Sequence, residues 1–191
     1  MHQTIKKIFR LSLAICIFVI TAALVITCLI KAQDILNSNE LYESRKVVHF
    51  YTDADHQYIL MSNNQKPDQS ALIVLKDHGY VMKLSCEHYL KTVCTDQYNL
   101  FSTRYIRKAT IQSIGNYLYF QNIQWIDIQN NQPTALTWSQ QDIQQLYQND
   151  IDNLKYILGA LILFSLSGLY VCYRIIRCLL YTSPSPRDQR G

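Results

Sequence analysis

Leu11 to Ile30 reads LSLAICIFVITAALVITCLI, twenty residues without a charge. As a helix this run is about 30 Å long, the thickness of a bilayer's hydrocarbon core. Lys6, Lys7 and Arg10 precede it. Tyr156 to Tyr173 is a second uncharged run, eighteen residues long, between Lys155 and Arg174. Both runs satisfy the length rule for a spanning helix. The competing reading of the first run is a cleaved signal peptide, which its basic start fits. Its length exceeds the ~7–15 apolar residues usual for a signal, and no A-x-A-like site follows in Ile30-Lys31-Ala32-Gln33. The competing reading of the second is a buried core helix, but nothing else in the chain is apolar enough to cover it on all sides. An uncleaved anchor and a second span are therefore expected.

Between these runs the composition changes. Residues 33–155 hold ten Lys/Arg against thirteen Asp/Glu, a net of −3, so the chain's overall +4 comes from the flanks and the tail. The acidic sign disfavours a nucleic-acid partner. The overall 49% of hydrophobic residues excludes disorder and fibrous repeats, and six Cys are too few for a disulfide-built miniprotein. Lys6, Lys7 and Arg10 on one flank, and Arg174 and Arg177 on the other, outnumber Lys31 and Lys155 on the side of the middle segment. The positive-inside rule then puts both termini in the cytoplasm and residues 31–155 outside, and cleavage of the first run would not alter that. No N-x-Ser/Thr sequon occurs outside the runs, which favours a bacterial inner membrane over a eukaryotic surface.

The expected organisation is a basic cytoplasmic N-terminus (1–10), a first transmembrane helix (11–30), an extracytoplasmic β-rich domain (31–139), a stalk helix (140–155), a second transmembrane helix (156–177) and a tail (178–191). The tail begins CLLYTSPSPRD. It resembles a translated transposase sequencing adapter, so residues 178–191 are expected to be foreign to the natural protein, which would continue beyond Arg177. A natural Ser/Pro-rich tail is the alternative.

The middle carries strand signals. Lys46–Thr52, Ala71–Lys76, Tyr80–Cys86, Lys108–Ile114, Tyr117–Phe120, Ile123–Ile128 and Thr134–Trp138 are apolar or alternating runs. Asp77-His78-Gly79 closes one hairpin and Gly115-Asn116 another, because glycine enters the left-handed region without steric cost. Pro133, which lacks an N–H, marks a loop. Six or seven short strands predict an antiparallel sandwich or small barrel. A mixed α/β domain competes, because Gln33–Arg45 can be helical. Ser139-Gln140-Gln141-Asp142 resembles a capping box with Asp for Glu. Ile143, Tyr147, Ile151, Leu154 and Leu158 then recur at helical spacing, predicting one helix from about Gln140 to Arg177. Such a helix would carry a shift of the outer domain into the span, unless it is a rigid stalk.

Cys16, Cys28 and Cys172 lie in the apolar runs and Cys178 in the tail, which leaves Cys86 and Cys94 as a disulfide candidate in an oxidising compartment. Asp53, Asp55 and His56 form an acidic cluster without EF-hand spacing, and a polar turn between two strands explains them. His49, His78 and His88 show no metal-ligand spacing, and no metal or cofactor is expected. Glu87 and Asp77 do not form an evident acid–base pair, and no nucleophile, P-loop or dinucleotide motif occurs, so an enzyme is not expected in this part of the chain. Arg104, Arg107 and Lys108 are the candidate ligand patch, for an anion or lipid head group, against the plainer reading of a charged strand face. Tyr117, Tyr119 and Trp125 build either a core face or a binding face.

Two functions fit. One is a small two-span membrane protein whose outer domain binds another envelope protein or supports an assembly. The other is the input region of a transmembrane sensor kinase or cyclase whose output domain lies beyond Arg177. The lipid bilayer is a partner in both.

Overall fold

The computed structural model describes residues 2–95, 104–127 and 131–181, with side chains placed for 11–95, 104–127 and 131–178. The elements in chain order are α1 (His2–Leu36), α2 (Ser38–Glu43), β1 (Lys46–Tyr51), β2 (Tyr58–Asn63), β3 (Ser70–Leu75), β4 (Gly79–Ser85), β5 (Arg104–Ile114), β6 (Tyr117–Asp127), β7 (Pro133–Thr137) and α3 (Gln140–Tyr181). They form two compact units, Met1–Asn37 with Ile151–Gly191, and Ser38–Asp150.

In the first unit two long apolar helical stretches run antiparallel. Cys28 Sγ lies 3.4 Å from Ser165 Oγ, and Cys172 Sγ donates to Thr21 Oγ1 at 3.6 Å, so positions fall along α1 as they rise along α3. The seam is made of small side chains. A Cβ added to Gly168 would stand 2.7 Å from Thr21 Oγ1, so the glycine is what lets the two helices approach at that point. The large apolar side chains face away from the seam: Val19, Ile20, Leu29, Leu163 and Phe164 are each more than half exposed.

The second unit is an antiparallel sheet of seven strands in the order β4-β3-β2-β5-β6-β7, with β1 also pairing β5. All seven strands share one sheet rather than the two layers of a sandwich. Among the described residues its ends, β4 and β7, are not hydrogen-bonded to each other, so no closed barrel is formed there. β4 comes up against β6 without a ladder between them. β5 is the organising strand. Its N-terminal end pairs β2 (Leu60 with Arg104), while the rest of the same edge pairs β1 (Phe50 with Ala109).

Most expected strands are present with shifted ends. Tyr117–Phe120 and Ile123–Ile128 are a single strand, β6, whose register shifts opposite Thr110/Ile111; Ile128 lies outside the described residues. β5 starts at Arg104 rather than Lys108 and is buried almost continuously, because both of its faces are covered, and that erases the alternation a one-faced strand shows. Pro133 pairs with Ile126 as the first residue of the terminal strand β7, a position where a missing N–H is tolerated. β2 is an additional strand, and the turn at 52–56 does join two strands as expected.

The turns follow the expected chemistry. Gly79 has φ +94°, and Asp77 (φ +64°) shares the left-handed region with it. Gly115 has φ +56° at the first central position of the β5–β6 hairpin, where a type II′ turn needs it. The helix cap is complete: Ser139 N and Oγ each donate to Asp142 Oδ2 at 2.8 Å, and Asp142 N donates to Ser139 Oγ at 3.1 Å. The core gathers Phe50, Leu60, Ile73, Leu84, Ile106, Ile111, Phe120, Ile123 and Trp125, with Tyr89 and the Cys86–Cys94 pair among them.

Candidate functional site

Cys86 and Cys94 are joined by a disulfide, with Cα atoms 5.9 Å apart. The bond closes a short loop directly after β4. Tyr89 inside that loop is buried and accepts the Phe120 N–H on its hydroxyl at 3.1 Å, with its ring edge-on to Phe120 and Trp138. The disulfide and Tyr89 together fix the loop against β6. That leaves its neighbour His88 pointing to the third turn of α3.

There His88 meets Asp150. His88 Nε2 donates to Asp150 Oδ1 at 2.8 Å, and the Tyr119 hydroxyl donates to Asp150 Oδ2 at 2.5 Å. The His88 ring stacks on Tyr119 at 6.3 Å between centroids and stands perpendicular to Tyr89. The His88 and Asp150 side chains are only 15% and 12% exposed, so the pair is screened far less than a surface ion pair. Tyr117, Tyr119, Tyr147 and Tyr42 continue the contact as a chain of rings, and Tyr147 donates to the Ser38 carbonyl at 3.1 Å. Further along, Gln140 donates to the Tyr42 hydroxyl and accepts from Gln112, each at 2.7 Å. The first turns of α3 are therefore held to the sheet by polar and aromatic contacts as well as by buried Ile143.

A cleft of about 180 Å³ opens beside the pair, lined by Lys83, Ser85, Glu87, His88, Asn116, Tyr117, Leu118, Tyr119 and Asp150. The hydrogen bond that His88 donates to Asp150 raises the His88 pKa above its ordinary value, against the opposing effect of burial, with the charges of Asp150 and Glu87 adding to the rise. Burial first, and then Asp150, push the Tyr119 phenol well up, so it stays a neutral donor at any physiological pH. Tyr89 is raised by burial in the same way. Ser85 Oγ, at the rim of the cleft, accepts the Glu87 N–H at 3.3 Å. The arrangement is an acid–base pair beside a polar cleft.

The residues singled out from sequence fall elsewhere. Arg104 is buried, donating to the Val93 carbonyl at 2.7 Å and to Ser62 Oγ at 2.6 Å, with its guanidinium over Trp125. Arg107 is exposed at a register shift, and Lys108 lies over the Tyr51 ring at 5.4 Å. The structure thus separates Arg104 from the other two by burial. Asp53, Asp55 and His56 make a tight polar turn in which Asp53 Oδ1 accepts from the N–H groups of Asp55 and His56. Those bonds lower the Asp53 pKa. Tyr119 and Trp125 are buried, and Tyr117 and Tyr119 line the cleft. The His88–Asp150 pair was not anticipated from sequence. Its partners are 62 positions apart, and no spacing rule connects a disulfide loop to a helix that far away.

The class defined by this architecture is a seven-stranded antiparallel domain with one disulfide, set between two long apolar helices. Compared with protein-family models, with curated proteins and with solved structures, the chain matches none.

Proposed function

We propose that the chain is a two-span membrane protein of the bacterial inner membrane, with both termini in the cytoplasm and a disulfide-bonded domain outside that binds another envelope protein or supports an assembly. The observation that carries the membrane part is the outward-facing apolar surface of α1 and α3. Val19, Ile20, Leu29, Leu163 and Phe164 stand exposed while Thr21, Ser165 and Cys172 are buried, which is the arrangement lipid favours and water penalises. The disulfide supports an oxidising side for the domain. The basic flanks support the orientation. The interaction reading is supported by β4, a terminal strand of the sheet that carries exposed Tyr80 and Val81, where an extended segment of an envelope protein would add as a further strand.

Carbonate extraction of membranes and protease treatment of intact spheroplasts test the placement. Retention in the membrane pellet and cleavage within 31–155 from outside are expected; a carbonate-soluble chain or a protected domain overturns it. A photo-crosslinking residue at Tyr80 tests the interaction. One discrete adduct supports it, and the loss of that adduct when the envelope is solubilised identifies its dependence on assembly.

A second reading is favoured by Asp150. The residue that receives both His88 and Tyr119 sits on α3, which continues into the second apolar stretch. A change at that pair would be carried along one helix, as the input region of a sensor kinase or cyclase requires. More than about 150 further residues with a kinase or cyclase motif in the complete reading frame would establish this reading over the first.

A further inference from the structure

His88 is held by the most constrained segment of the sheet domain, the loop closed by Cys86 and Cys94 and pinned through Tyr89 to Phe120. Asp150 has no covalent tie of that kind; its carboxylate also receives the buried Tyr119 hydroxyl. The residue lies on a helix whose first turns rest on Ile143, Tyr147 and hydrogen bonds to Gln112 and Tyr42. The His88–Asp150 bond is thus a tie between a cross-linked loop and a helix, and one of its two ends is an imidazole, the side chain whose ordinary titration lies closest to neutral pH.

We propose that the His88–Asp150 pair is a pH-sensitive latch that fastens the disulfide loop to α3 in its protonated form and loosens as the pH rises. Among the described residues, the groups around His88 come from three elements, one turn and the loop itself. Asp150 comes from α3, Glu87 from the loop, Lys83 from β4, Tyr119 and Tyr117 from β6, Tyr89 from the loop, and Asn116 from the β5–β6 turn. Two carboxylates favour the imidazolium and one ammonium opposes it. That ammonium is itself paired with Asp68 at 2.8 Å. Tyr119 keeps its bond to Asp150 throughout, since its phenol does not ionise in this range, so release of His88 does not leave the carboxylate without a donor.

The sign follows from linkage. A histidine whose pKa is raised in the folded protein contributes its full stabilisation below the ordinary value of 6.5, and loses it as the pH rises through the raised one. A neutral imidazole still donates one N–H to the Asp150 carboxylate, but the attraction between imidazolium and carboxylate, little screened at this depth, is gone. The inference goes beyond the proposed function and needs neither of its two readings, because every group it uses belongs to Ser38–Asp150.

The full chain in lipid nanodiscs is followed by hydrogen exchange at pH 6 and pH 8.5, corrected for intrinsic rates. Residues 143–150 and 86–94 are expected to lose protection at the higher pH, by about tenfold for each unit by which the pair raises His88. His88→Gln should abolish that difference and His49→Gln should keep it. Equal protection of the wild type at both pH values, or an unchanged response in His88→Gln, overturns the latch. Should His88→Gln lose protection across β5 and β6 as well, imidazole NMR on the wild type decides. A His88 titration above 6.5 that falls in Asp150→Asn sustains the proposal, and one at or below 6.5 ends it.

Discussion

Along the apolar stretches of α1 and α3 the buried residues are small and weakly polar: Ala14, Thr21, Ser165 and Cys172. In the sheet domain large side chains are buried too: Tyr89, Tyr119, Phe120 and Trp125 lie inside with Leu60, Ile73 and Ile106. The two units place their apolar bulk in opposite directions. Burial of large side chains stabilises a fold only where the alternative is water; in hydrocarbon, close approach of small residues and hydrogen bonds between them do the corresponding work. The contrast teaches that the two units answer to different solvents, and it can be broken experimentally.

The largest effect should come from the sheet core. Phe120→Ala removes a fully buried ring that meets Tyr89 and Trp138, and is expected to destabilise the domain by about 3–5 kcal/mol. Phe164→Ala, at an exposed position of α3, should leave the domain's denaturation midpoint within about 0.5 kcal/mol of wild type. Tryptophan fluorescence against denaturant reads both. Equal losses would mean that the two units are not separately stabilised.

Next comes the cross-link. Cys86→Ser with Cys94→Ser frees a nine-residue loop, for which the chain-entropy relation gives about 2.6 kcal/mol at 25 °C. The same exchange at Cys28, whose thiol only touches Ser165, should cost far less. Thermal denaturation with and without reductant measures the difference. A wild type whose midpoint does not respond to reductant would remove the disulfide from the account of stability.

The helical seam sharpens the comparison from the other side. Gly168→Leu forces atoms into Thr21 and is expected to loosen the pair by about 2 kcal/mol, an overpacking cost. The readout is oxidative cross-linking of Ser165→Cys with native Cys28, the two sites being 3.4 Å apart at their side-chain tips. Cross-linking should fall in Gly168→Leu and recover in part when Thr21→Gly is added. The sheet domain's denaturation midpoint should stay where it was.

How much of this was legible follows from which signals are local. The apolar helices, the Asp77–Gly79 and Gly115–Asn116 turns, the Ser139–Asp142 cap and the lone cysteine pair outside the apolar runs are each written within a few residues, and each is present. The single open sheet was not legible, because β5 pairs with three strands and its partner choice is decided by long-range contact. Nor was the burial of Arg104. Its guanidinium is accommodated by Ser62, the Val93 carbonyl and Trp125, which lie at scattered positions, so a basic cluster in sequence became one core residue and two surface ones. The His88–Asp150 pair was hidden for the same reason.

The smallest effect falls at the junction where the sheet ends and α3 begins. Ser139 caps the helix through its hydroxyl, which accepts from the Asp142 N–H, while Asp142 accepts from Ser139 in return. Ser139→Ala should cost about 1 kcal/mol. The Ser139 hydroxyl, and then its N–H, hold the Asp142 carboxyl below the ordinary carboxylate range, so its contribution is present above the unfolded value of 3.8 and is lost as the pH falls through the depressed one. The cap therefore weakens in acid, whereas the His88–Asp150 pair is expected to weaken in base. Hydrogen exchange resolved along 140–150 separates the two. Acid should speed exchange at the first turn, and Asp142→Asn should remove that response while leaving the behaviour near Asp150 intact. If Asp142→Asn changes both ends together, the first turns of α3 open as one piece, and the helix is tied to the sheet at a single point rather than two.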